Sequence, residues 1–146
     1  DQGHIDAEGF LFITGRVKDI FKTSKGKYIE PLVLESFFGD VLEFEQICIA
    51  GLGLPQPICL GVLSEIGLAK PKDELQQYFS DYLDKVNVQL PGYKKISTII
   101  LVKDPWTVDN GLMTPTLKIK RNKIDKMYER SYVNWHQDEA AVIFEN

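Results

Sequence analysis

"EQICIAGLGLPQPICLGVLSE", residues 45–65, contains two apolar runs separated by a turn rich in glycine and proline. The runs, residues 47–50 and 58–63, are short and rich in isoleucine and leucine, a composition typical of buried β-strands. Glycine and proline between them favour a chain reversal. The stretch therefore predicts a β-hairpin in the interior of the fold, around which the other elements are arranged.

A helix is predicted on each side of this hairpin. Pro31 is suited to the first turn of a helix that ends at Gly39. Proline has no backbone N–H group, but N–H groups in the first turn have no partner within the helix, so no hydrogen bond is lost. After Pro71, apolar residues recur at steps of three and four from Leu75 to Leu90, a spacing that places them on one face of an amphipathic helix.

The last third of the chain completes the set of elements. "STIILVK", residues 97–103, predicts a buried strand, a long loop follows, and residues 119–132 predict a final helix. The sum is an α+β fold: a small domain of β-hairpins and a three-stranded sheet flanked by helices.

Two further hairpins are predicted near the start of the chain. Strand-like residues 4–5 and 10–14 lie on either side of a glycine-containing turn. Residues 20–21 and 28–29 lie in the same way on either side of a turn at Gly26. Strand-like sequence is already under way at the first residue, so we expect the chain to be a fragment of a longer protein.

Composition excludes several classes of protein. A formal charge of −4 and a pI near 5.2 do not suit a general nucleic-acid binder, which needs a basic face. Cys48 and Cys59 are too few for a disulfide framework or a zinc site, and reduced thiols are expected. No apolar run approaches the about 20 residues of a membrane-spanning helix.

Two stretches carry candidate chemistry. In "GRVKDIFKTSKGKYIEP", residues 15–31, a glycine turn with flanking lysines could approach an anion, although a half-exposed hairpin with outward lysines accounts for the same pattern. In "GLMTPTLKIKR", residues 111–121, a lysine on a loop could meet developing negative charge, although a helix start with solvated lysines is equally compatible.

Taken together and in this order, the two stretches resemble motifs of the adenylate-forming enzymes, and within them the C-terminal domain of the long-chain fatty acyl-CoA synthetases. These are ATP-dependent acid:thiol ligases. The resemblance covers almost the whole chain. It implies that residues 1–17 are the last part of an N-terminal adenylation domain and form a hairpin there. Residues 18–146 would then form a mobile C-terminal domain.

The resemblance assigns roles to residues of the first stretch. Asp1 is similar to the aspartate that holds the ribose hydroxyls of the nucleotide, and Arg16 to a second nucleotide contact. Lys18 occupies the hinge position about which the C-terminal domain rotates. Glu35 is similar to the acidic residue that closes the motif. The loop that meets the pantetheine arm of CoA corresponds to Ser24, Lys25, Gly26, Lys27 and Tyr28.

The second stretch allows two alignments. The family pattern runs threonine, two variable residues, glycine, the catalytic lysine, two more, then arginine or lysine. Placing Thr114 on the threonine makes Lys118 catalytic and Arg121 the trailing cation, whereas Thr116 would give Lys120 instead. We prefer Lys118 because only that register also places Arg121. Both lack the usual glycine, as the long-chain branch commonly does.

The resemblance implies a two-step reaction. A fatty acid carboxylate attacks ATP, in the presence of Mg2+, to give an acyl-adenylate and pyrophosphate, with Lys118 neutralising charge in the transition state. The domain then rotates about Lys18 and presents residues 24–28, and the CoA thiol attacks the acyl-adenylate. The implied partner is the protein's own N-terminal adenylation domain, without which the chain is expected to be inactive.

Two rival functions stay open. A relative could have lost catalysis and serve as a binding or regulatory module, or the acyl group could pass to the pantetheine of a carrier protein. A cytoplasmic location is expected, with peripheral membrane association as an open alternative. No residue is assigned to a metal site, and the sequence leaves the fatty acid chain length and the oligomeric state undetermined.

Overall fold

A four-stranded mixed sheet forms the centre of the computed structural model, which describes residues 2–5, 11–15 and 20–145, the side chains from residue 20 onward. Its strands are β5 (Phe44–Ala50), β6 (Ile58–Leu63), β7 (Ile99–Val102) and β8 (Val142–Phe144), side by side in that order. The β5–β6 pair is the predicted antiparallel hairpin, and β7 and β8 add in parallel.

Helices cover both faces of this sheet. The elements are α1 (Pro31–Glu35), α2 (Glu65–Leu68), α3 (Lys72–Asn87) and α4 (Arg121–Asp138), with 3-10 turns at Ser36–Phe38 and Gly92–Lys94. Strand β7 is buried at all four positions and β6 at five of six. A strand that is buried on both faces has apolar residues at successive positions, which explains why polar and apolar residues do not alternate in these two strands.

The sheet separates two hydrophobic cores. On one face, Ile99 and Leu101 of β7 pack with the apolar stripes of α1 and α3; on the other, Ile100 and Val102 pack with α4 and with Trp106. Successive strand residues point to opposite faces, so a single strand supplies both cores. The two faces of the sheet therefore contact two different cores.

The predicted fold class, α+β with hairpins and flanking helices, is confirmed, but the sheet has four strands instead of the three predicted. The extra strand is β8. Helix α4 ends at Asp138, and the next residue, Glu139, has a φ of 59°, the left-handed conformation common after helices. The chain then returns alongside β7. A three-residue strand is too short to show a period in the sequence.

Two small hairpins precede the domain core, as predicted. Strand β1 (Gln2–Ile5) pairs with β2 (Leu11–Gly15), and β3 (Phe21–Lys22) pairs with β4 (Tyr28–Ile29). The expected division of the chain near residue 17 lies outside the described residues and stays a prediction. Among the helices that the structure describes, none is long and apolar enough to cross a membrane.

Gly61 of β6 offers a test of how tightly the first core is packed. A Cβ atom added there would lie 2.2 Å from the ring of Phe44, which is itself stacked on Phe79. We expect Gly61→Ala to lower the free energy of unfolding by about 2–3 kcal/mol, measured by chemical denaturation, because the core cannot absorb the methyl group. Gly92→Ala, with open space at its Cβ, is the matched control and should change stability little.

Candidate functional site

The hairpin β3–β4 has a fixed base and an exposed tip. Thr23 closes the base: its amide donates to the Lys27 carbonyl at 2.8 Å, and its hydroxyl accepts from the Lys27 amide at 3.1 Å. Gly26 has a φ of 81°, a left-handed conformation that glycine adopts at little cost. A further bond, from the Ser24 amide to the Leu54 carbonyl, ties the hairpin to the β5–β6 turn.

All five residues predicted to face CoA are exposed at this tip. Tyr28 is 65% exposed, and the ammonium group of Lys22 lies 5.8 Å from the centre of its ring. The Lys27 ammonium lies over the ring of Tyr93 at 5.6 Å. The geometry suits a loop that presents backbone and lysines to a partner, although contact with CoA stays a prediction.

The second stretch forms a small hairpin-like loop just before α4. Met113 pairs with Ile119 in an antiparallel bridge, and the Lys120 amide donates to the Leu112 carbonyl at 2.9 Å. Within the loop, the Thr114 amide donates to the Lys118 carbonyl at 2.7 Å. These bonds hold Lys118 in the loop, and the helix begins at Arg121, two residues after the predicted start at residue 119.

The residue before Lys118 has an unusual backbone conformation, whereas the choice of Lys118 as the catalytic lysine stays a prediction. In the register with Lys118, Leu117 stands where the family has glycine, and Leu117 has a φ of 65°, the conformation that glycine adopts most easily. The Thr114 hydroxyl also accepts from the Lys118 amide at 3.0 Å, so the threonine and lysine of the motif contact each other directly. Ile119, the glycine position of the other register, is not in the left-handed region.

Replacing Leu117 with glycine tests the left-handed conformation of this residue through stability. Leu117 is 68% exposed, so little packing is lost, and relief of the left-handed strain should outweigh the added freedom of the unfolded chain. We expect Leu117→Gly to raise the free energy of unfolding by about 0.5–1 kcal/mol. Ile119→Gly, which removes a side chain packed on the second core, should lower it by about 1–3 kcal/mol. Equal losses in the two variants would contradict a strained left-handed conformation at Leu117.

Lys120, the lysine of the other register, lies in a different place. It is half-buried at the residue preceding α4 and lines a cleft of about 690 Å³. Phe21, Lys22 and Tyr28 of the β3–β4 hairpin line the same cleft, whereas Lys118 does not. The structure thus brings Lys120 next to the predicted CoA-facing hairpin and leaves Lys118 exposed outside it.

The trailing cation, Arg121, pairs with the acidic residue of the first motif. Its two terminal nitrogens donate to the two carboxylate oxygens of Glu35 at 2.6 and 2.7 Å, a bidentate geometry. The Ile49 amide of β5 donates to the same carboxylate at 2.8 Å. Because both side chains are largely buried, at 13% and 11% exposure, loss of one partner would leave a costly unpaired charge.

A second polar contact, which the sequence did not reveal, holds the other end of the loop. The Gln46 side-chain carbonyl accepts from the Trp106 amide, and its NH2 group donates to the Trp106 carbonyl, both at 2.8 Å. The Trp106 indole, 2% exposed, donates to the Tyr128 hydroxyl at 3.1 Å. Trp106 thus anchors the second core, and no local sequence pattern identifies Gln46 as its partner.

Asp125 lies in the wall of the cleft, one turn after Arg121. Burial raises the pKa of its carboxyl, although a bond from the Tyr132 hydroxyl at 2.7 Å and the nearby Arg121 act in the opposite direction. Burial likewise raises the pKa of Tyr132. The cleft therefore contains one acidic group with a perturbed pKa beside the basic residues that line it.

Three predicted site residues, Asp1, Arg16 and Lys18, lie outside the described residues, so their predicted roles stay predictions. Among the residues that the structure describes, no three histidine, cysteine, aspartate or glutamate side chains converge as a metal site. Cys48 and Cys59 are buried in separate cores, on opposite faces of the sheet.

Sequence relatives of the chain are acyl-activating ligases. A peroxisomal acyl-CoA ligase 891 of Penicillium brevicompactum is 30% identical over 85% of this chain, and long-chain-fatty-acid–CoA ligase 5 of Mus musculus is 29% identical over 88%. The chloroplastic long-chain-fatty-acid–[acyl-carrier-protein] ligase AEE15 of Arabidopsis thaliana is 30% identical over 83%. The chain covers 21%, 22% and 17% of these three relatives, so it spans about a fifth of their length.

A solved structure shares the fold. The adenylation domain of a carboxylate reductase from Mycobacterium chelonae superposes with a TM-score of 0.74 at 24% identity, over 89% of this chain and 21% of that one. No family model matches the chain.

By fold and by relatives, the chain matches a fragment of the adenylate-forming enzymes. Within that superfamily its relatives are long-chain acyl-CoA synthetases and acyl-CoA ligases, and the resemblance to the long-chain synthetases is confirmed. The predicted location stays open, since the names of these relatives include peroxisomal and chloroplastic forms.

Proposed function

We propose that this chain acts as the mobile C-terminal part of an ATP-dependent long-chain fatty acid:CoA ligase. The loop of residues 114–118 carries the proposal, since a lysine follows a left-handed residue where the family has glycine and lysine. The names of the relatives supply the reaction class, with fatty acid and CoA as substrates. MgATP as the third substrate follows from the resemblance to the adenylate-forming enzymes. The rest of the active site would lie in an N-terminal adenylation domain.

In the first half-reaction, the carboxylate and the α-phosphate are both negative, and charge accumulates as they approach. Lys118 is exposed on a tightly bonded loop, so its ammonium group can extend toward a partner domain and neutralise that charge. In the second half-reaction, rotation about Lys18 would replace Lys118 by residues 24–28. The location of Lys118 outside the cleft beside the hairpin supports separate presentation of the two loops.

The test is fatty-acid-dependent exchange of labelled pyrophosphate into ATP by the full-length polypeptide that contains this chain. Exchange that requires a long-chain fatty acid supports the proposal, because it reports reversible formation of the acyl-adenylate. Absence of exchange with every carboxylate tried would favour the rival hypothesis of a non-catalytic binding or regulatory module.

A second candidate keeps the first half-reaction and changes the acceptor. The relative named as an acyl-carrier-protein ligase makes a carrier-protein pantetheine the alternative to CoA. Supplying CoA or an acyl carrier protein to the same enzyme separates the two, since only the true acceptor will discharge the acyl-adenylate at a useful rate.

A further inference from the structure

The segment that carries Lys118 runs from Trp106 to the start of α4, outside regular secondary structure for most of its length. Such segments are usually more mobile than the elements that they connect. A catalytic group needs the opposite property, because a misplacement of about 1 Å can cost about 100-fold in rate. The structure shows how this segment is fixed: it is attached to the core at both ends.

Gln46 of β5 fixes the first end. Its planar amide pairs with both backbone groups of Trp106, 60 residues away, so that position cannot shift without breaking two hydrogen bonds. The same NH2 group contacts the Met113 sulfur at 2.9 Å. Met113 immediately precedes Thr114, whose hydroxyl accepts from the Lys118 amide. Gln46 therefore contacts the segment both where it enters and where the lysine loop begins.

Glu35 fixes the second end. It binds Arg121, 86 residues away, through two short charge-assisted hydrogen bonds, and it accepts a third from the Ile49 amide of β5. The carboxylate is thus joined to a strand of the central sheet and to the first residue of α4 at once. Lys118 lies three residues before Arg121, between the two attachments.

We propose that Glu35 and Gln46 are positioning residues for Lys118 in the adenylation half-reaction. This inference rests on the proposed function. Neither side chain would touch substrate; each would act by holding one end of the segment against the core through α1 and β5. Both side chains also satisfy backbone groups, the Ile49 amide and the Trp106 amide and carbonyl, so the test has to separate positioning from stability.

The experiment compares both half-reactions in the full-length enzyme. We expect Gln46→Ala and Glu35→Gln each to lower kcat for pyrophosphate exchange by about 10–100-fold, with KM for ATP and fatty acid within about 2-fold. In Gln46→Ala, thioester formation from supplied acyl-adenylate should change by less than about 2-fold, because that step does not use Lys118. Gln77→Ala, which removes an exposed glutamine bonded to Asp81, is the matched control and should leave both steps unchanged.

A double variant separates positioning from a general structural role. If Gln46 acts through Lys118, adding Gln46→Ala to Lys118→Ala should lower the residual exchange by less than about 2-fold. Additive losses, equal losses in both half-reactions, or unchanged exchange would each overturn the inference. Gln46→Glu, which keeps the size and the acceptor for the Trp106 amide, is judged by the same criteria if Gln46→Ala does not fold.

Failure of the proposed function gives a different result. In that case the wild-type enzyme shows no exchange, or Lys118→Ala leaves exchange intact, and the positioning roles fall with it. A loss in Lys118→Ala with unchanged rates in Gln46→Ala and Glu35→Gln contradicts the positioning roles alone.

Discussion

Lys118→Ala in the full-length polypeptide should lower fatty-acid-dependent pyrophosphate exchange by about 100- to 1,000-fold, the usual cost of removing one preorganised group that stabilises transition-state charge. The loss should fall on kcat, with KM for ATP little changed, because the charge neutralised by the lysine is greatest in the transition state. Steady-state exchange at varied ATP and fatty acid concentrations measures both parameters. Because Lys118 is exposed, stability should be unaffected.

Lys120→Ala is the matched control for this prediction. The two lysines lie two residues apart, yet Lys120 lines the cleft beside the β3–β4 hairpin and Lys118 does not. We expect Lys120→Ala to retain exchange within about 10-fold of wild type. The reverse outcome, with exchange lost in Lys120→Ala and kept in Lys118→Ala, would show that the motif aligns on Thr116 and that the left-handed Leu117 is unrelated to it.

Lys18→Pro should block thioester formation by at least about 100-fold while sparing pyrophosphate exchange. Proline restricts φ to about −65° and removes an amide, so a hinge residue replaced by proline cannot change its backbone conformation freely. The domain orientation used for adenylation would persist, whereas the orientation used for thioester formation would become inaccessible. Thioester formation is followed with CoA and supplied acyl-adenylate.

Lys18→Ala provides the control for the hinge, since alanine removes the side chain but leaves the backbone free to rotate. It should support both half-reactions within about 10-fold of wild type. Equal loss of the two half-reactions in Lys18→Pro would contradict the hinge, because it would indicate general disruption of the polypeptide instead of a blocked rotation.

Local patterns were sufficient to predict the elements that depend on neighbouring residues. The hairpin β5–β6 follows from two runs rich in β-branched residues. Helix α3 follows from apolar residues that recur every three or four positions. Strand β8 escaped prediction because its three residues become a strand only by pairing with β7. The start of α4 was placed too early because the bonds between Thr114 and Lys118 compete with the helix.

The candidate site likewise has parts that local sequence patterns predicted and parts that they did not. The exposed tip of the β3–β4 hairpin and the lysine loop were predicted, because each is a contiguous motif with turn residues of known conformation. The attachments through Glu35 and Gln46 join residues 86 and 60 positions apart. Glu35 was noted as the acid of its motif, but its pairing with Arg121 depends on tertiary packing, which no spacing within one segment encodes.

The ion pair between Glu35 and Arg121 has a consequence for the order of the two half-reactions. Helix α1, which ends at Glu35, directly follows the β3–β4 hairpin, and Arg121 directly follows the lysine loop. Under the proposed rotation, the β3–β4 hairpin and the lysine loop would therefore move as one rigid body. A rotation that brings one loop to the active site would remove the other by the same angle. Premature attack by the thiol would then be prevented by mechanical linkage alone, without any signal that senses whether the adenylate has formed.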